Sequence, residues 1–220
     1  MNYKLLILII VSVVLSSCDT AETINDIIDS KITAKEKLAE VLNSARSGFS
    51  ADAKLAAIFG REISDKGEAD ISNTNSLSNF IYSVQSDVLQ SNEFYIPVLG
   101  AGPVKSPVNL NDLLGLIKDP VSKNIMGVVF SKLATVAISD GASYNDSPQV
   151  MTAMLNNNAV INFRSSNLNS KTDMFLVPSK SLDSTFASSA DWIVNFYTSS
   201  NSLTMWLNSG TGEIKNLSEL

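Results

Sequence analysis

Histidine is missing from this 220-residue chain, and cysteine occurs once, at Cys18. Without histidine there is no imidazole to act as a general base or to bind zinc. Serine triads, cysteine–histidine dyads and histidine-ligated zinc hydrolases are therefore excluded. A single cysteine also excludes an intrachain disulfide, so the fold has to be stabilised by packing.

Two further catalytic patterns are missing as well. No lysine has a serine or threonine three positions before it, which excludes an S-x-x-K dyad, and the nucleophile-elbow pattern G-x-S-x-G does not occur. We therefore expect no enzyme activity, no metal site and no cofactor.

Basic residues are too few and too scattered for a polyanion-binding surface. The chain has 16 Lys and Arg against 22 Asp and Glu, which gives a net charge of −6. Nucleic acids and anionic membrane surfaces are bound by clusters of Lys and Arg. The sequence has no such cluster, so we expect no nucleic-acid partner.

Apolar runs long enough to span a bilayer are also missing. The N-terminal run extends from Leu5 to Leu15 and is broken by Ser12, whereas a transmembrane helix needs about 20 apolar residues. Lys4 precedes the run and small residues follow it. This layout predicts a cleaved signal peptide over residues 1–17.

Leu15-Ser16-Ser17-Cys18 closes this run and resembles the lipobox of bacterial lipoproteins. The resemblance implies that the Cys18 thiol receives a diacylglycerol, that the chain is cut before Cys18, and that the new amine is acylated with a fatty acid such as palmitate. Two or more chains anchor a protein stably. The alternative is an ordinary signal peptide with a cysteine near its cleavage site.

The resemblance implies a location in the bacterial cell envelope, facing the periplasm or the cell surface. Asp19 follows the cysteine directly, as in enteric lipoproteins that stay in the inner membrane. Sorting rules differ between bacterial groups, so anchoring to the inner or the outer membrane stays open.

The remaining chain has patterns of both helices and strands. Residues 18–32 are polar and predict a lipidated tether. Apolar periodicity and capping signals predict helices over 33–48 and 50–60 and helices that begin at 120 and 147. Aromatic and β-branched runs predict strands over 79–85, 93–99, 159–164, 172–177, 192–198, 203–207 and 213–217. The expected fold class is α+β, with helix pairs packed on an antiparallel sheet.

The element order occurs twice, over residues 33–107 and 108–220. This suggests two tandem helix-helix-sheet repeats. In element order the repeat resembles PepSY domains and the β-lactamase inhibitory protein, without a residue motif that carries functional residues over. One continuous domain over both halves is the alternative.

Tyr197 and Trp206 are the candidate contact residues. Strand alternation places Trp192, Val194 and Phe196 on one face, so Tyr197 points to the other face, and Trp206 does so on its own strand. If one face of the sheet is core, these aromatics cover the outer face and form a contact surface.

Three functions remain open. The leading hypothesis is a membrane-anchored envelope lipoprotein that binds or scaffolds an envelope protein or glycan through its sheet without catalysis. The second is a carboxylate-dependent enzyme acting on cell-wall glycan, which needs two acidic side chains in one pocket. The third is a small-ligand binder with a cavity between helices and sheet.

Overall fold

The structure is a computed structural model that describes residues 30–72 and 78–220. The predicted signal peptide 1–17, Cys18 and the predicted tether up to residue 29 lie outside the described residues. Among the described residues, no helix is long and apolar enough to cross a membrane.

The described chain contains ten strands, six α-helices and a short 3-10 helix. The strands are β1 Lys31–Ile32, β2 Lys54–Arg61, β3 Ala69–Asp70, β4 Asn79–Ser86, β5 Ser91–Val98, β6 Ala101–Lys105, β7 Lys171–Pro178, β8 Ala190–Tyr197, β9 Ser202–Leu207 and β10 Ile214–Asn216. The helices are α1 Leu38–Gly48, α2 Leu110–Gly115, α3 Pro120–Ser131, α4 Ser147–Leu155, α5 Asn158–Ser166, α6 Ser179–Leu182 and the 3-10 helix Leu217–Glu219.

Eight strands form one antiparallel sheet in the order β10-β9-β8-β7-β2-β4-β5-β6. Strand β2 from the first half of the chain pairs with β7 from the second half, so the strands of both halves belong to a single sheet. Strands β1 and β3 form a separate pair. The predicted mixture of helices with an antiparallel sheet is confirmed, and the sheet dominates.

Helices cover both faces of the central strands. On β2, Ile58 points into a first core, which also contains residues of α1, α4 and α5, whereas Phe59 points into a second core with residues of α2 and α3. Both side chains have no solvent exposure. Side chains alternate between the two faces of a strand, so neighbouring residues of a central strand belong to different cores.

Two predicted elements are wrong. Residues 50–60, predicted as a helix, contain strand β2, and residues 159–164, predicted as a strand, lie in helix α5. A single described helix therefore precedes the strands of the first half, so the two halves do not share a helix-helix-strand order. In addition, Gly100 to Pro107, interpreted as a turn, contains strand β6.

Several local predictions are confirmed. Asp119 caps α3 and its side chain accepts a 2.7 Å hydrogen bond from the backbone N–H of Ser122, with Pro120 in the first turn. The strands predicted near 79–85, 93–99, 172–177, 192–198 and 203–207 are all present. Lys31 and Ile32, assigned to the tether, instead form β1, and Ile32 is buried.

Gly67 lies at a close contact between the 62–68 connection and the start of α4. Its φ is +77°, and a Cβ added there would overlap the backbone of Ser147 and Pro148. Gly141 has a similar φ of +75° but has no atom within 4 Å of an added Cβ. The two glycines therefore separate the cost of the left-handed backbone from the cost of overlap.

We expect Gly67→Ala to lower the free energy of unfolding by about 2 to 4 kcal/mol, because backbone atoms cannot move away as a flexible side chain can. Gly141→Ala should cost only about 1 kcal/mol, from its φ alone. Urea unfolding at constant slope measures both values. An equal loss in the two variants would contradict the contact between Gly67 and α4.

Candidate functional site

A groove opens beside α1 where the edge of the first core is incomplete. The register between β2 and β4 shifts between Leu55 and Ala57, which is a β-bulge. At this bulge the carbonyl oxygen of Leu55 accepts a 2.7 Å hydrogen bond from the backbone N–H of Ile138. The bond fixes the 138–144 loop next to the sheet. Bulges often lie beside functional sites, because they redirect side chains.

We call this cavity the α1 groove. Its volume is about 430 Å³, within the range of small-ligand pockets. Helix α1, strand β2 and the 138–144 loop each contribute to its walls. The apolar lining residues are Leu38, Leu42, Leu55, Ile138, Ala142 and Tyr144. Aliphatic walls of this kind favour an apolar segment of a ligand.

The rim of the α1 groove carries one cation and one carboxylate, Lys35 and Asp140. The Lys35 ammonium donates a hydrogen bond to the backbone carbonyl of Tyr144 and lies 4.3 Å from the centroid of its ring. Burial raises the pKa of the Tyr144 hydroxyl to about 12, so this side chain is neutral near pH 7. The opposite charges at the rim favour a neutral or zwitterionic ligand over an ion of either sign.

The predicted contact residues Tyr197 and Trp206 are not exposed. Trp206 is 3% exposed, stacks on Phe186 at 5.4 Å between ring centroids, and donates an indole hydrogen bond to Asp191. Tyr197 is 6% exposed and its hydroxyl donates to Asp173. The prediction of an exposed aromatic pair is wrong because helices α2, α3 and α6 cover the face that was expected to be the outer one.

Asp173 on β7 is a carboxylate without solvent exposure. Its Oδ1 accepts the backbone N–H of Glu62 at 2.9 Å and the Tyr197 hydroxyl at 3.3 Å. Its Oδ2 lies 3.7 Å from Nε of Arg61, and neither of these two atoms has a hydrogen-bond partner. Burial raises the pKa of Asp173 to about 6, although the Glu62 N–H, Arg61 and Tyr197 oppose this shift.

The hydrogen bond from Glu62 to Asp173 also fixes an unusual backbone. Glu62 has a φ of +48°, which is rare for a residue other than glycine. Its own carboxylate accepts a 2.6 Å ion pair from Lys171 on the neighbouring strand. Asp173 therefore joins the end of β2 to β7 and β8.

Asp191 on β8 is the second fully buried carboxylate. It accepts hydrogen bonds from the Ser188 hydroxyl at 2.9 Å, the Trp206 indole at 3.2 Å and the Ser209 backbone at 3.1 Å. These three donors belong to β9 and to the connections around it. The arrangement satisfies the buried charge and explains it as a structural feature.

The two buried carboxylates do not form a catalytic pair. Asp173 pairs with Asn195 on β8, four residues along that strand from Asp191, which is a separation of about 13 Å. Neither side chain has solvent exposure, whereas a glycan substrate has to contact both groups in one cavity. Among the described residues, no group of three or more His, Cys, Asp or Glu side chains could hold a metal ion.

Comparisons with protein-family models, with curated proteins and with solved structures find no match to this chain.

The sequence patterns did not identify the α1 groove. Leu38 and Leu42 were assigned correctly to an amphipathic helix, but no local pattern shows that the 138–144 loop packs against its start. Asp173 had a recognisable signal, because it is a lone carboxylate inside an otherwise apolar strand. Such a residue is buried with partners more often than it is exposed in a strand of that kind.

We expect Asp173 to make the protein more stable as the pH falls from 7 to 4. Its pKa is about 6 in the folded state and 3.8 when exposed. Because the folded-state pKa is raised, this contribution is complete below pH 3.8 and is lost as the pH rises through 6. It amounts to about 3 kcal/mol. Urea unfolding of Asp173→Asn at pH 4, 5.5 and 7 should show that this increment is missing.

Asp119→Asn is the matched control for the pH dependence of stability. Hydrogen bonds from Ser122 lower the pKa of Asp119, so its contribution is lost on acidification and has the opposite sign. If Asp173→Asn kept the wild-type difference in stability between pH 4 and pH 7, the assignment of the raised pKa would be refuted.

Proposed function

We propose that this protein is a lipid-anchored binding protein of the bacterial cell envelope that holds an apolar ligand segment in the α1 groove and acts without catalysis. The observation that carries the binding role is the aliphatic cavity formed by α1, β2 and the 138–144 loop. The lipobox at residues 15–18 carries the anchoring.

The position of Cys18 fits a short attachment between membrane and domain. The described domain starts with β1 at Lys31, so the linker from Cys18 spans at most about 45 Å when fully extended. Acylation by two or more chains makes release negligible on the timescale of function. The domain, and with it the α1 groove, is then held close to the membrane surface, where apolar ligands are concentrated.

Binding through a face of the sheet, the original form of the hypothesis, has little support. Both faces of the central strands are covered by helices, and the candidate residues Tyr197 and Trp206 are buried. A cavity between a helix and the sheet was the feature expected for a ligand binder, and the α1 groove has that location. The carboxylate-dependent alternative lacks an accessible pair of acidic groups in Asp173 and Asp191.

Anchoring predicts that wild-type protein incorporates palmitate and that Cys18→Ala does not, because the thioether can form only at this residue. Metabolic labelling with an alkyne fatty acid in a bacterial host, followed by membrane fractionation, measures both effects. Ser17→Ala is the control, since it keeps a small residue before the cysteine and should remain labelled. Unlabelled wild-type protein in the culture medium would rule the anchor out.

Ligand binding predicts that Leu42→Glu weakens uptake of the neutral dye N-phenylnaphthylamine by about tenfold, because a buried carboxylate opposes an apolar ligand. The fluorescence titration uses residues 19–220, which contain the compact unit Lys31–Leu220.

Asn43→Glu adds the same charge one position further along α1, on the exposed surface, and should leave the affinity for the dye unchanged. Circular dichroism verifies that both variants are folded. Equal affinities in Leu42→Glu and Asn43→Glu, or no dye binding by the wild-type protein, would exclude the α1 groove as the binding site.

A further inference from the structure

A second groove lies at the end of the sheet where β2 ends and β7 begins. Its volume is about 400 Å³. We call it the Tyr197 groove, after the aromatic residue in its wall. Its side chains come from three connections, α2 to α3, α5 to β7, and β8 to β9. The residues that matter for binding are Leu116, Lys118, Leu168, Asn169, Lys171 and Tyr197.

The polar groups of this groove are nearly all hydrogen-bond donors. Lys118 and Lys171 supply two ammonium groups, Asn169 an amide, and Thr198 and Ser199 two hydroxyls. No carboxylate lines the groove, although acidic residues outnumber basic ones in the chain as a whole. Three further grooves of the described domain each contain a carboxylate, from Asp140, from Glu93, and from Asp183 with Glu219.

Both ammonium groups have donors to spare. Lys118 Nζ donates to the carbonyl of Gly115 at 3.0 Å, and Lys171 Nζ contacts Glu62 at 2.6 Å. An ammonium has three donors, and each of these two has one protein acceptor in these bonds. The backbone of Lys118 is fixed by a 2.9 Å hydrogen bond from its N–H to the Ser202 hydroxyl, so the groove keeps its shape without a ligand.

A third cation lies behind the groove wall. The Tyr197 hydroxyl donates to Asp173, and the Arg61 guanidinium lies on the other side of that carboxylate, with Nε lacking an acceptor. Glu62 and Asp173 are the acidic groups that face this cluster. Arg61, Lys118 and Lys171 outnumber them, which gives a locally positive site in an acidic protein.

The other half of the groove is apolar and open. Leu116 and Leu168 line it, and Leu168 is 78% exposed, the highest value among the large apolar side chains described. Asn169, next to it, has a φ of +68°. Strain at a non-glycine residue beside a cavity is a common property of binding sites. An exposed leucine next to two cations suits a ligand that has both an apolar body and a negative charge.

We propose that the Tyr197 groove binds a small amphiphilic anion, with its carboxylate or phosphate between Lys118 and Lys171 and its apolar part against Leu168 and Leu116. This site is independent of the lipid anchor and of the α1 groove. The charge complementarity of the lining residues selects this ligand class over the neutral ligands that the α1 groove favours.

The test titrates four probes with the same alkyl chain, octanoate, octyl phosphate, octanol and octylamine, into residues 19–220 at low ionic strength. Methyl NMR spectra report the affinity and the location. We expect either anion to bind about fivefold more tightly than octanol, and octylamine to bind more weakly still. Shifts should occur at Leu168 and Thr198. The comparison of octanoate with octyl phosphate tells which anion the site prefers.

Two pairs of variants complete the experiment. Leu168→Asp should weaken binding of the anion at least fivefold, whereas Val88→Asp, at an equally exposed position (77%) beyond the opposite end of β2, should not. Lys171→Met and Lys54→Met each break an exposed ion pair with a carboxylate, and only Lys171→Met should weaken binding.

Four results would overturn the proposal. These are octanol binding as tightly as both anions, equal effects of Leu168→Asp and Val88→Asp, no binding of either anion by the wild-type chain, and shifts confined to Leu38 and Leu42. The last result would place the anion in the α1 groove and leave the proposed function intact. Conversely, failure of the neutral dye to bind the α1 groove would not affect the expected shifts at Leu168.

Discussion

The covering of the central strands on both faces is the constraint on which the rest of this structure depends. Phe59 on β2 contacts Phe130 of α3 at 5.4 Å between ring centroids, and its neighbour Ile58 packs into the core on the opposite side of the sheet. A strand in this position has no face toward water, so each of its polar groups must find a partner inside the protein. Without disulfides, these two cores supply most of the stability.

Polar side chains are consequently gathered into one row across the second face, at the end of the strands. Following the pairing from β4 to β9, the row is Asn79, Arg61, Asp173, Asn195 and Thr204. The adjacent row, Ile81, Phe59, Phe175, Ile193 and Trp206, is entirely apolar. The Thr204 hydroxyl donates to Asn195, whose amide donates to the Leu116 carbonyl. A one-residue slip of any strand would place these groups in an apolar core, so the row specifies the register.

Double-sided burial also decides how much the sequence could predict. Strands β8 and β9 were recognised from aromatic and β-branched residues, whereas Ala53 to Phe59 is apolar at nearly every position and has no period of two. Its apolar positions also fit a helix, and only the pairing of β2 with β4 and β7 resolves the ambiguity. Residues 159–164 form a helix because Asn157 caps it, a signal that the preceding asparagines obscured. The anchor motif was local and complete in sequence, whereas both grooves join segments about 80 residues or more apart, which no local pattern can relate.

Binding sites in such a fold are confined to the places where the covering layers stop. The α1 groove lies beside the β-bulge at Leu55, where the sheet no longer meets a helix squarely, and the Tyr197 groove lies at the strand ends, beyond the reach of α3. The two cavities differ in charge because they use different neighbours. Lys35 and Asp140 balance each other at the first, whereas Lys118 and Lys171 have no acidic side chain opposite them within the second. A domain without histidine or an accessible carboxylate pair thus still presents two chemically distinct surfaces, which suits recognition better than catalysis.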